Sequence, residues 1–242
     1  MRWSSTPRSR PVTPAGKERT MSTVSEALTS TPASLAQKAY DVIEEMIVTL
    51  KLPPGTVFSE QQLSARIGIG RTPLREALQR LVDQQLLVML PRRGVLVSEI
   101  HAGQMLALLE TRRVLDRLIA GKAALRATPA QREALRRLAD RMQQSASSVD
   151  LETYMRLDHQ FDRLLEEACR NPFASRAAAP LHTHCRRFWY FYSHGRDVQP
   201  AAEHHLALMA AVTEGNGNAA EQASDQLIDY LEALARQALD YR

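Results

Sequence analysis

The 242-residue chain has only two cysteines, Cys169 and Cys185, set in helical patterns and far from any C-x-x-C spacing. That usage excludes a disulfide scaffold and a Cys-rich zinc site, and it fits reduced, buried thiols in a cytosolic protein. Aromatic residues make up 5% of the chain, and five of the 13 fall together in Phe188-Trp189-Tyr190-Phe191-Tyr192. A core layer is the plain reading of that cluster; part of a cavity or of a dimer face is the alternative. No apolar run approaches the roughly 18–20 residues of a membrane span, so no membrane partner is expected. Gly-rich phosphate loops, H-E-x-x-H spacing and nucleophile–base pairs are missing as well, which removes the usual signals of an enzyme. Beyond residue 101 no stretch alternates with period two, so a sheet is not expected there.

Charge is unevenly placed. Residues 1–93 carry 13 Lys and Arg against 8 Asp and Glu, whereas residues 94–242 carry 18 against 19. The basic excess belongs to the amino-terminal part, where it would neutralise phosphate. A neutral second half, without aromatic–basic interleaving, speaks against an RNA-binding or DNA-packaging protein. Residues 1–33 are rich in Ser, Thr, Pro and Arg, lack apolar periodicity and read as a disordered tail. This tail has no apolar core of a secretory signal, and Met21 is an alternative start. A basic arm using Arg2, Arg8, Arg10, Lys17 and Arg19 is the other reading.

What the sequence does contain begins at Ser34. Ser34 and Gln37 form a capping box for a helix whose apolar set is Leu35, Ala39, Val42, Ile43, Met46, Ile47 and Leu50. Pro53-Pro54-Gly55 ends it. Ser59 and Gln62 open a short helix with Leu63 and Ile67 inward and Gly68 as C-cap. A third helix follows, with Thr72 as candidate N-cap, Pro73 in its first turn and Leu74, Ala77, Leu78 and Leu81 on one face. Arg71 and Arg75 lie off that face, at a helix end where amides and dipole attract phosphate. Arginine also reads guanine through paired hydrogen bonds. Two short β-type runs, Leu86–Leu90 and Val95–Val97, flank Pro91-Arg92-Arg93-Gly94, a hairpin with a basic tip. Helix, short helix, tight turn, helix and wing together form a winged helix-turn-helix.

Residues 35–100 resemble GntR-type bacterial transcription regulators. The resemblance rests on Pro54-Gly55, Glu60-x-x-Leu63, Arg71-Thr72-Pro73-Leu74-Arg75-Glu76-Ala77-Leu78 and a wing closing on Gly94. Two positions depart from the family pattern: Gly70 stands where Ser is usual, and Gln61 where Arg is common. The resemblance implies operator contacts from Gln61, Arg71, Thr72, Arg75, Arg93 and Gly94, with Gln62 and Arg92 as alternatives in the second helix and the wing.

From residue 101 the pattern is helical, with helices expected over 102–126, 129–144, 150–169, 173–193, 200–213 and 217–240. The expectation is an all-α bundle of six or seven helices over 101–242. This part resembles the FCD effector domain of the FadR subfamily through Glu110-x-Arg112-x-x-Leu115, Asp158-x-x-Phe161 and Glu203-His204 followed by Gly217-Asn218. The resemblance implies a homodimer whose bundle senses a small organic acid. It places Arg112, Asp158, Asp162, His204 and Tyr230 around the effector, Asp229 replacing Tyr230 if the register slips by one. Many FCD members hold a divalent metal with one Asp and three His. Here Asp158 and His204 match, and Asp162 stands for one His. Zn, Ni or Mn would be the ion if one binds, with Mg or Mn the harder alternative, and a metal-free polar pocket is the other reading. His159, His182, His184, His194 and His205 are nearby candidates, as are Arg186 and Arg187. A metal-dependent hydrolase using Asp158, Asp162 and His204 is the competing class.

Overall fold

Apolar periodicity of 3.6 residues dominates the chain, and helices follow it. The computed structural model describes residues 34–193 and 198–240. The basic tail, Met21 and His194 lie outside the described residues. In chain order the elements are α1 (Leu35–Val48), β1 (Val57–Phe58), α2 (Glu60–Ile67), α3 (Arg71–Asp83), β2 (Leu87–Leu90) and β3 (Gly94–Val97). Six further helices follow: α4 (Ala102–Arg126), α5 (Pro129–Ser147), α6 (Leu151–Cys169), α7 (Pro172–Ser193), α8 (Val198–Glu214) and α9 (Gly217–Asp240).

In the head, α1 to β3, Ser34 caps α1 by accepting from the Gln37 amide. Ser59 and Gln62 cap each other's backbones at α2, and Gly68 closes α2 in the left-handed conformation. Ala39, Ile43 and Ile47 of α1 pack with Leu63, Leu74, Leu78 and Leu81 in one apolar cluster. Leu35 and Val42 belong to the apolar set of α1, yet both are exposed; Tyr40 takes a core place instead. α3 also starts earlier than Thr72. Gly70 is its N-cap and makes no side-chain bond, so Arg71 and Thr72 are its first two residues. Pro73 is still tolerated because the first-turn N–H groups have no partner inside the helix.

The wing contains one strand more than expected: β1 pairs with β3, giving the antiparallel order β1-β3-β2. That pairing accounts for Gly94. Its φ is +112°, and a Cβ there would run into the Phe58 carbonyl oxygen. Gly94 is therefore a requirement of the β1–β3 approach before it is anything else.

The bundle has its own core, running from Met105 and Leu109 on α4 to Leu234 on α9. α4 and α9 approach closely through small residues; a Cβ on Gly217 would lie 3.4 Å from the Gly121 carbonyl oxygen. Thr128 caps α5 with a reciprocal Gln131 box. Phe188 and Trp189 are core residues, whereas Phe191 is partly exposed. Gly215, at φ +80°, turns the chain between α8 and α9, and Arg132 holds that turn through the Val212 and Thr213 carbonyls at 2.7 and 2.9 Å.

α1 serves both cores. Val48 belongs to the bundle cluster, and Glu44 is buried against α7. Polar bonds complete the junction: Lys51 to Glu152 at 2.7 Å, the Gln84 carbonyl to His184 Nε2 at 2.8 Å, and Arg187 to the Ser98 carbonyl.

Candidate functional site

The amino-terminal end of α3 concentrates the expected DNA contacts. Arg71, Thr72 and Arg75 are exposed there, and Gln61 is exposed on the neighbouring α2. Leu74, Ala77 and Leu78 fix the helix from behind. The first-turn amides of Arg71 and Thr72 carry the positive end of the helix dipole. Glu60 is the residue that sequence reasoning left without a role. Its carboxylate accepts from Arg75 Nε at 2.7 Å, while the Arg75 side chain stays 67% exposed. The motif Glu60-x-x-Leu63 was visible, but its bond to Arg75 spans two helices and no local spacing reports it. At the wing, Arg92 and Arg93 are exposed on the turn closed by the Arg93 amide bonding the Leu90 carbonyl at 3.0 Å.

The bundle centre brings Arg112, Asp158 and Asp162 together around a cavity of about 30 Å3. Every charge in it is already engaged. Arg112 donates to Asp116 at 2.9 Å, and His182 Nε2 meets the same carboxylate at 2.8 Å. Asp158 is bound by His205 Nε2 at 2.8 Å, while His205 Nδ1 lies 2.7 Å from the Ala201 carbonyl. Asp162 accepts from Arg186 Nη1 at 2.5 Å, and Arg186 Nη2 continues to Glu44 of α1 at 2.9 Å.

Two expected cavity residues are not there. His204 stacks on Tyr230 with ring centroids 5.1 Å apart, and neither ring lines the cavity. His205 occupies the place foreseen for His204; it lies on the buried stripe of α8 with Ala201, Leu208 and Met209. That stripe was readable in the sequence and separates the two histidines. On α9 the cavity wall is Leu227 and Leu231 rather than Tyr230 or Asp229. The α8–α9 turn is Gly215-Asn216, with the Asn216 side chain accepting from the Ala219 amide. Anchoring the motif on Gly217-Asn218, two residues late, rotates the expected position about 200° round the helix. Arg187 is also displaced from the cavity, to the junction under β3, where burial pulls its guanidinium down to about 10.

The metal set implied by the resemblance does not fit these residues. Among the described residues no group of three His, Cys, Asp or Glu side chains is placed to hold an ion. Asp158 and Asp162 are committed to His205 and Arg186, His204 is elsewhere, and two guanidinium groups already supply positive charge. A cation would have to displace these partners and would meet an apolar leucine wall. Thermal melting is therefore expected to be unchanged by excess chelator; a rise in Tm with Zn, Ni or Mn that chelator reverses would refute this.

The cluster makes stability depend on pH. Burial alone would lower the His182 pKa, but the Asp162 and Asp116 carboxylates outweigh it and push it up to about 10. Burial opposes ionisation of Asp116, yet Arg112 and His182 bring it down to about 2. A raised histidine stabilises fully below its ordinary value of 6.5, and that contribution is lost as pH rises through about 10. A lowered carboxyl stabilises above its ordinary 3.8, and that contribution is lost as pH falls through about 2. Tm should thus decline from pH 6.5 towards 10, and His182→Gln should flatten that decline. An equally steep decline in the variant would dissociate it from His182.

The comparisons agree with this architecture. The model of the bacterial regulatory proteins of the gntR family matches residues 35–97, and the FCD domain model matches residues 107–230. The HTH-type transcriptional repressor RspR of Escherichia coli is 26% identical over 202 residues, 83% of this chain and 89% of its own. The fatty acid metabolism regulator protein of Yersinia enterocolitica is 29% identical over 224 residues, 86% of this chain and 89% of its own. Among solved structures, McbR/YncC of E. coli superposes with a TM-score of 0.75 at 20% identity, covering 86% of this chain and 99% of the other. This is a family of transcription regulators and not of enzymes, so the hydrolase alternative falls. With an amino-terminal winged helix-turn-helix and an FCD bundle matched in sequence and fold, this chain belongs to the GntR family of bacterial regulatory proteins.

Proposed function

We propose that the chain is a cytoplasmic, ligand-responsive repressor that binds a pseudo-palindromic operator as a homodimer and is released or re-posed by a small organic acid. Residues 34–100 form the DNA-binding domain and residues 101–242 the effector and dimerisation domain. The observation that carries this reading is the exposed amino-terminal end of α3, where Arg71, Thr72 and Arg75 surround unpaired amides on a rigid apolar backing. Arg75 reads guanine in the major groove, Arg71 and Thr72 hold phosphate, and Gln61 reads or spaces the neighbouring base. Arg93, with Arg92, contacts the backbone beside the wing, and Gly94 lets the wing take its shape.

Two-fold pairing is supported by an apolar stripe on α4 that is exposed among the described residues, where Val114, Leu118 and Leu125 are 71%, 38% and 64% exposed. Spacings of four and seven residues put them on one face. Two heads so related would dock in successive major grooves. An effector carboxylate in the central cavity would compete with Asp116 for Arg112, with Asp158 and Asp162 opposite; opening that cavity is the step which repositions α7. The test is an anisotropy titration with duplexes selected from random sequence. The expected result is a palindromic preference with two protomers per duplex. Six phosphate contacts per dimer, from Arg71, Arg92 and Arg93, give a slope of log K on log salt of about −5. Equal affinity for selected and random duplexes would refute it.

A further inference from the structure

The junction between head and bundle holds a larger opening than the bundle centre. A groove of about 600 Å3 runs between α1 and the α5–α6 face, a volume typical of small-molecule sites. Its two walls differ in charge, the α1 wall acidic and the bundle wall mainly basic, with Glu167 its one carboxylate, four residues after Arg163 on α6. Arg137, Arg141, Arg156 and Arg163 stand on the bundle side, and Asp41, Glu44 and Glu45 stand on α1. Arg156 reaches across to Glu45 at 3.3 Å, whereas Arg137 turns outward to Glu133 at 3.3 Å. Arg163 has no ion pair among the described residues, and Arg141 has only a 3.5 Å contact with the Gln160 amide oxygen. Val48, Leu138, Met155 and Leu164 supply an apolar floor. At the inner end sit the Arg186–Glu44 pair and His159, whose Nε2 lies 3.9 Å from Glu44 and whose buried Nδ1 has no hydrogen-bond partner among the described residues.

We propose that this groove is a second ligand site, which takes an organic anion made of a carboxylate and an apolar body. Its carboxylate pairs with Arg141 and Arg163, its body covers the leucine and methionine floor, and the His159 edge donates or accepts at the inner end. Arg156 stands on the same wall and is held by Glu45 at 3.3 Å; a carboxylate beside Arg141 and Arg163 draws Arg156 from Glu45 as well, so occupation loosens α1 from the bundle. The site does not depend on the operator reading: a protein that selects no operator can still bind here. It is also separate from the central cavity around Arg112.

The probe is 2-naphthoate, with the neutral alcohol 2-naphthalenemethanol as its uncharged counterpart, titrated calorimetrically into the full chain. The acid is expected to bind at least about tenfold more tightly than the alcohol, a difference of about 1.4 kcal/mol. Double charge reversal of two exposed residues, Arg141→Glu with Arg163→Glu, is expected to weaken it by a further factor of about ten or more while melting stays cooperative. Leu227→Phe, which fills the central cavity, should leave the affinity unchanged. Hydrogen exchange of α1 amides should quicken on adding the acid. Absence of naphthoate binding, equal binding of the alcohol, or unchanged affinity in the charge-reversed protein overturns the site. Loss of binding in Leu227→Phe alone moves the ligand to the central cavity and leaves the proposed function standing. Unaltered α1 exchange overturns the loosening.

Discussion

Replacing Arg75 by alanine is expected to lower specific operator affinity by about 5- to 150-fold for each half-site, the range set by about 1–3 kcal/mol for a bidentate guanine contact. In a two-fold complex both half-sites lose that contact, so selective binding is effectively abolished. The head should remain folded, because the Arg75 side chain is mostly exposed and the α3 core beneath it is untouched. The Glu60 pair does not oppose this role. An exposed ion pair contributes about 0–1 kcal/mol, less than the base contact that would replace it. Glu60 holds the guanidinium extended across the α2–α3 corner until DNA is met, which saves ordering a long side chain on binding. Two further variants separate reading from charge. Arg75→Lys keeps the positive charge but loses the planar fork, so non-specific affinity and salt slope should persist while base preference relaxes. Glu60→Gln should raise non-specific affinity by removing a carboxylate from the surface facing phosphate. Anisotropy titrations against selected and random duplexes read all three. Retained preference in Arg75→Ala would exclude the residue as the reader.

Most of this architecture could be read in advance because the signals are local. Ser34-x-x-Gln37 and Ser59-x-x-Gln62 read as capping boxes with partners three residues apart; the second formed in full, while at α1 only the Ser34 half formed because the Gln37 side chain turns to Asp41 and Arg80. The single-face apolar pattern from Leu74 to Leu81 needs no knowledge of what packs on it. What could not be read required partners distant in sequence. β1 is two residues long and exists through its pairing with β3. Glu44 would be expected on a solvated helix face, yet it is 4% exposed because α7 brings Thr183 and Arg186 to it across the domain junction. Positions around the central cavity were missed by register, one residue at the histidine pair and two at the doubled Gly-Asn turn; burial separates His205 from His204, and the positive φ of Gly215 picks out the turn.

The second large effect is expected at Arg186, which joins the cavity to the head. It is buried, with Glu44 at 2.9 Å on one side and Asp162 at 2.5 Å on the other. Burial works against its charge, and the two carboxylates restore it; Glu44 in turn is held below its usual range despite burial, mainly by Arg186 and then His159. Arg186→Met removes the cation and leaves two carboxylates facing an apolar side chain. Breaking a buried pair in this way costs about 3–5 kcal/mol, because the orphaned charge, and not the lost attraction, dominates. Urea unfolding of the variant should show that loss. Adding Glu44→Gln and Asp162→Asn should recover most of it, since neutral amides need no counter-charge. The same substitution should also divide the unfolding transition. Head and bundle have separate apolar clusters, and among the described residues the Glu44–Arg186 pair is the most deeply buried of the ion pairs between them. Without it the head should melt first, followed by the bundle, where the parent protein gives one step. A variant within about 1 kcal/mol of the parent, the level of an exposed pair, would mean that water reaches the junction freely and that Arg186 does not couple the cavity to the amino-terminal head.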